Sequence, residues 1–266
     1  MNNTGCFKLC GESVVTVTIH PEQGDRTPSS INSFKRFKSA VVRACVGIAI
    51  LVCALNAVNF AHGDELRCSN INVRVYSVDR SDVDTACEAA REAISFLTAN
   101  GLDATGAVEV YLVKKLPDMA NLSAYGCYDN SRQRVYMLVF SECIKHDPWA
   151  DPPMDRALYR SMLVHEVAHA VAAANFTATK ASMLAHEYVA YVTMFATMAP
   201  SKREYFLKRF SGHGFDSVDQ MSVAFFLLDP FRFGTEAYRH FLKLDNQKSF
   251  LEDVLSGRVL IGKDGS

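Results

Sequence analysis

Two histidines and a glutamate stand within five residues in an otherwise apolar run, MLVHEVAHAV (162–171). Side chains of these types are seldom fully buried without a partner, so something must compensate His165, Glu166 and His169. Residues four apart on a helix project from one face, about a turn apart. His165 and His169 can therefore share one tetrahedral metal ion. Glu166, next to His165, can reach a water at that ion without being a ligand. The spacing is HExxH, here HEVAH, which sets two imidazole ligands and a general base on one helix. Two ordinary core histidines are the plainer reading. Against it, two imidazoles and a carboxylate within one turn are hard to satisfy by hydrogen bonds alone.

A metal site on this helix needs a third ligand. Glycine at 172 and histidine at 175 would supply one by extending the motif, but the chain has Ala172 and Asn175. The next apolar stretch, MLAHEYVAYVTMF (183–195), offers Glu187. Helical spacing puts Glu187 in line with Met183, Leu184, Tyr191, Met194 and Phe195. A carboxylate on such a stripe is costly unless a metal or a cation compensates it. The alternatives are a salt bridge from Glu187 to a buried arginine, or ligation by its neighbour His186, which projects with Ser182, Ala190, Thr193 and Thr197.

These residues need two helices to present them. Asp151 and Pro152 suit the cap and first position of a helix over about 153–175. A second helix is expected over about 181–199, stopping before Pro200-Ser201. Upstream, INVRVYSV (71–78) alternates and is β-branched, so it reads as a strand. Asp82 or Asp84 caps a helix through about Ala99, ended by Asn100-Gly101. Strands are expected at 107–114 and 132–140, the latter after a Tyr-Gly-Cys-Tyr-Asp-Asn turn. Residues 201–256 read as three or four amphipathic helices broken at Gly212-His213-Gly214 and Asp229-Pro230. Strand, helix, strand, strand, then helices only gives an α+β fold, with a small N-terminal sheet and its helices packed on a mainly helical C-terminal half. The expected domain covers 64–262, with the sheet and active-site helix in 64–175 and the helical half in 176–262.

The first sixty residues differ. Residues 1–40 have no sustained apolar period and read as an extension that is unstructured or lies upstream of the true start, near Val41 or Val42. Residues 41–63 read as a signal peptide or membrane anchor, with an uncharged run from Ala44 to Ala61 and small residues at −3 and −1 before Asp64. The domain is thus expected outside the cytoplasm: periplasmic, secreted, or anchored through 44–61. Four cysteines follow that segment, an even number compatible with two disulfides. Of three connectivities, Cys68–Cys87 with Cys127–Cys143 is favoured, because the second pair brackets a hairpin. None of the four forms a CxxC, which argues against a thiolate zinc site. A formal net charge of −1 over 266 residues leaves no basic field for nucleic acid.

HEVAH on one helix with Glu187 on the next resembles the gluzincin branch of the zincin metallopeptidases. The likeness covers about 130–199 and is similar to that of small exported bacterial zincin-like proteins of unassigned function. It implies a zincin-like fold and Zn2+ held by His165, His169 and Glu187. It implies hydrolysis of a peptide or protein substrate, with Glu166 as general base. It also implies that the strand at 132–140 lines the cleft and pairs with an extended peptide. A further donor should stabilise the oxyanion. Tyr188, Tyr191, His213, Tyr238 and His240 are available. Tyr238 and His240, in FGTEAYRHF (233–241), are favoured because that stretch follows a break at Pro230 and could fold back over the cleft. Residues 200–266 match no named peptidase, which leaves a non-catalytic zincin-like binding or structural protein as the alternative function. A membrane-tethered helical interaction protein with a chance HExxH is the third.

Overall fold

Period-two alternation of apolar residues builds the sheet, and two long apolar helices close over it. The computed structural model describes residues 64–77, 79–117, 124–146, 151–178 and 181–260. The expected extension (1–40) and apolar segment (41–63) lie outside them. The strands are β1 (Asp64–Arg67), β2 (Val73–Ser77), β3 (Val108–Val113), β4 (Gly126–Asp129) and β5 (Arg134–Leu138). The helices are α1 (Val83–Ala99), α2 (Phe140–His146), α3 (Arg156–Asn175), α4 (Met183–Thr197), α5 (Pro200–Arg209), α6 (Val223–Leu228), α7 (Pro230–Lys243) and α8 (Gln247–Leu255). The class is α+β, as the order of patterns predicts.

The sheet runs β1-β2-β3-β5-β4. Its central strands β2, β3 and β5 are parallel, and β1 and β4 are antiparallel strands at the two edges. Val73, Val75, Val108, Val110, Leu112, Val135 and Met137 all join the core, beneath α1 and α3. Burying each such side chain fully contributes about 1.5–3 kcal/mol. The opposite face carries a row of tyrosines, with Tyr76 stacked on Tyr111 at 4.5 Å and Tyr111 tilted against Tyr136 at 5.4 Å. Helix α3 packs on both α1 and α4, which also touch each other, and α4 packs in turn on α7.

Several expectations need correction. The stretch expected as a turn before residue 132 is strand β4, and the turn falls at 130–133. Its cause is Asp129, whose fully buried carboxylate accepts from the Ser131 N–H and hydroxyl and from the Arg132 N–H and guanidinium. Because β4 pairs outside β5, the strand expected at the cleft edge is internal and β4 is the edge. Helix α3 starts at Arg156, later than expected. Its cap is Asp155, which accepts from the Leu158 N–H at 2.9 Å, while Asp151 binds Tyr205 and Arg209 of α5. Strand β1 and helix α2 were not anticipated; both are short, and α2 has no long amphipathic stripe.

The first disulfide, Cys68–Cys87, is present with its Cα atoms 5.4 Å apart. Cys127 and Cys143 do not pair. Alternation along β4 sends Cys127 to the tyrosine face, in a small cluster with Tyr136, whereas Cys143 lies in the main core. The sheet separates them.

One carboxylate ties the start of α3 to the rest. Asp82 is the N-cap residue of α1, but its side chain makes no cap bond. Fully buried, it accepts from the Phe140 N–H at 2.7 Å and binds the Arg156 guanidinium, joining the first turns of α1, α2 and α3. The Arg156 guanidinium also lies over the Phe140 ring, 4.0 Å from its centroid. Asp82→Ala strands both donors, so it is expected to lower unfolding free energy by about 2–3 kcal/mol. Urea denaturation measures this, and a loss below about 0.5 kcal/mol would deny Asp82 that role.

Candidate metal centre

The middle of α3 is buried all round, from Ser161 to His169. Its neighbour α4 is buried from Leu184 to Phe195 and is capped by Ser182, which accepts from the Ala185 N–H at 3.1 Å. The two helices meet along His165 and His169 on one side and Glu187 and Tyr191 on the other. His165 Nε2 and His169 Nε2 are 3.0 Å apart. Glu187 brings Oε2 to 3.5 Å from His165 Nε2 and Oε1 to 3.8 Å from His169 Nε2. A tetrahedral ion with nitrogen ligands at about 2.0–2.1 Å holds them about 3.3 Å apart. The observed separations bracket that value, and the ligand atoms of all three residues lie within 4.8 Å of one another. The cluster could hold a metal ion.

Burial sets the electrostatics. His165, His169 and Glu187 are 3%, 2% and 1% exposed. Desolvation pushes the His165 imidazole down to about 4. His169 falls well below its usual value through burial and the neighbouring His165 and His186 rings. Burial raises the Glu187 carboxyl well above its usual value of 4.5. Without a cation, burial therefore disfavours the charged form of all three groups. Among the described residues, the ion-pair contacts of Glu187 are with the two imidazoles alone, so the expected alternative of a buried arginine is not met. Glu187 Oε2 and His169 Nδ1 make no hydrogen bond. A divalent cation would satisfy the acceptor that the protein leaves open.

Glu166 is 2% exposed and points toward the sheet, against Gly126 of β4. A Cβ on Gly126 would come within 2.9 Å of Glu166 Cγ, 2.8 Å of Met137 Sδ and 2.9 Å of Tyr136 O. Only glycine allows that approach. Sequence reasoning missed Gly126; its one signal was a glycine inside a β-branched, aromatic stretch, which marks close backbone approach.

His186, the alternative ligand, is not in the cluster. Its ring lies 6.0 Å from that of His169 and 4.4 Å from Phe176. Tyr238 and His240 are not brought to the cluster either. Their helix α7 packs on α4, which stands between it and α3. Tyr238 stacks on Phe195 at 6.0 Å, and His240 Nδ1 pairs with the Tyr188 hydroxyl at 2.8 Å. The expected fold-back over the cleft becomes a buttress behind α4. His213 sits at the surface beside Asp216. Tyr191, by contrast, lies edge-on to His165 with ring centroids 4.5 Å apart.

The chain belongs to a family of unknown function (DUF6639), which matches residues 73–264. No curated protein and no solved structure matches it.

The raised Glu187 value makes a pH prediction. A carboxyl whose folded value is raised stabilises the fold below its unfolded value, and that contribution is lost as pH rises through the folded value. In chelator, Glu187→Gln removes this loss. The variant should melt at least about 3 °C above the cation-free wild type at pH 8, with the gap closing toward pH 4. Equal melting at both pH values would show that burial does not hold Glu187 neutral.

Proposed function

We propose that this member of the DUF6639 family is a zincin-like, zinc-dependent metallopeptidase that hydrolyses peptide bonds outside the cytoplasm. The observation that carries the reading is the convergence of two Nε2 atoms from one helix and a hydrogen-bond-free carboxylate oxygen from the next. Two imidazoles and one carboxylate are a donor set suited to catalytic zinc. His165, His169 and Glu187 would hold the ion. When bound, zinc supplies a Lewis acid, which makes water more acidic and polarises a carbonyl oxygen.

The remaining work falls to the chain. Glu166 follows the first ligand by one residue and is pressed toward the sheet edge. It takes a proton from the attacking water and passes it to the leaving amine. Among the described residues, strand β4 has a sheet neighbour on one side only, β5. An extended peptide adding to its other side by main-chain hydrogen bonds would run past Gly126, and so past Glu166. This replaces the strand at 132–140 in the role the resemblance implies. The Cys68–Cys87 bridge supports an oxidising compartment. No helix among the described residues is long and apolar enough to cross a membrane, and the 44–61 segment lies outside them.

Burial favours a second reading, a non-catalytic zincin-like binding or structural protein. The cluster is nearly sealed, and the crevice beside His165 has no room for a water molecule. Glu166 separates the two, since a structural site has no use for a base beside its ligands.

Glu166→Gln is expected to keep the metal and lower kcat on a peptide library about 10²–10⁴-fold. Cleavage at the wild-type rate would remove Glu166 as the base, and a metal-loaded wild type that cleaves nothing would favour the second reading. Gly126→Ala forces Glu166 or the strand aside, so kcat should fall at least about tenfold with metal retained. Unchanged kcat would show that the close approach has no catalytic role.

A further inference from the structure

Among the described residues, His186 brings a third imidazole beside the cluster, with its ring 6.0 Å from that of His169 and 4.4 Å from that of Phe176. It is 9% exposed, and its Nδ1 makes no hydrogen bond. A buried polar nitrogen left in that state is costly, and an apolar side chain packed on Phe176 would avoid the cost. The backbone there is fixed in the first turn of α4, where the His186 N–H donates to the Ser182 carbonyl at 3.2 Å. Rotation of the side chain about its own two bonds is the freedom that remains.

Zinc held by His165, His169 and Glu187 has a fourth position to fill. Water takes it in a catalytic site, and a further protein ligand takes it in a closed one. Here the three residues are 1–3% exposed, and the crevice beside His165 has no room for a water molecule. Such a sealed form favours a protein ligand. Other ligating side chains close by are held elsewhere. Glu166 is pressed against Gly126 of β4, and His240 Nδ1 pairs with the Tyr188 hydroxyl. His186 has a nitrogen to offer.

We infer that His186 is a displaceable fourth ligand, which turns onto the cation in the sealed form and must leave before water or a substrate reaches it. The inference rests on the reading of the cluster as a zinc peptidase site. It makes the closed and the catalytic arrangements two states of one centre, with Glu166 in use only in the open one. Any ligand of the open form then binds more weakly, by the fraction of chains in which His186 has let go.

X-ray absorption of the full, zinc-loaded chain tests this by counting imidazoles on the metal. Three are expected in the wild type and two in His186→Phe, which keeps an aromatic ring against Phe176. Zinc affinity, read by chelator competition, should fall at least about tenfold in the variant. Azide, titrated into the cobalt-loaded chains, should bind the variant at least about tenfold more tightly, since nothing has to be displaced. Two imidazoles in the wild type would overturn the assignment without recourse to any variant. Equal azide affinity in the two chains would overturn it as well. None of these readings depends on turnover. A wild type with three imidazoles that cleaves no peptide would sink the peptidase reading and leave the fourth ligand standing. One with two imidazoles that does cleave would do the reverse.

Discussion

Glu187 is a carboxyl group almost wholly removed from water, and among the described residues no lysine or arginine pairs with it. An isolated ionised carboxylate in such a place is so costly that it takes up a proton instead. Its nearest polar neighbours are two imidazoles that burial also keeps neutral. The protein therefore holds three side chains that could ligate a metal against one another, and leaves Glu187 Oε2 and His169 Nδ1 without a hydrogen bond. A divalent cation changes the balance, since it favours both the ionised carboxylate and the neutral imidazoles. Metal binding and carboxyl ionisation are then one coupled event.

Much of the remaining architecture can be understood as holding that arrangement. Asp82 gathers the starts of three helices, one of which carries both histidines. Asp155 caps that helix and also pairs with Lys202 of α5 at 2.6 Å, fixing its entry from the other side. The Asp129 turn sets the β4–β5 register, which pairs Gly126 with Met137 and brings the edge strand against Glu166. Helix α7 meets α4 at its one glycine, Gly234, which leaves room for the Tyr191 ring. Each of these contacts lies outside the cluster, and each restrains the position of one side chain within or beside it.

The parts of this that were legible in the sequence are those governed by local period. Alternation located β2 and β3 to within a residue or two, and helical spacing put His165 and His169 on one face and Glu187 on the stripe that meets them. What stayed hidden depends on contacts between distant segments. The edge position of β4 follows from pairing order, which four residues of mixed type do not announce. The Cys127–Cys143 expectation failed because nearness in sequence says nothing of which sheet face a side chain takes. Tyr238 and His240 were displaced because the packing order of helices, with α4 between α3 and α7, is not encoded in their own periodicity. Tyr191 was visible on the Glu187 stripe, but only packing against His165 distinguishes it from the other tyrosines.

Cobalt(II) titration of the full chain, followed by visible absorption, tests the central claim most directly. About one equivalent should bind, giving the intense d–d bands of a tetrahedral nitrogen–oxygen site, and His165→Ala should abolish them. A wild type that takes up no cobalt, or a His165→Ala chain that binds it with the same spectrum, would contradict the account.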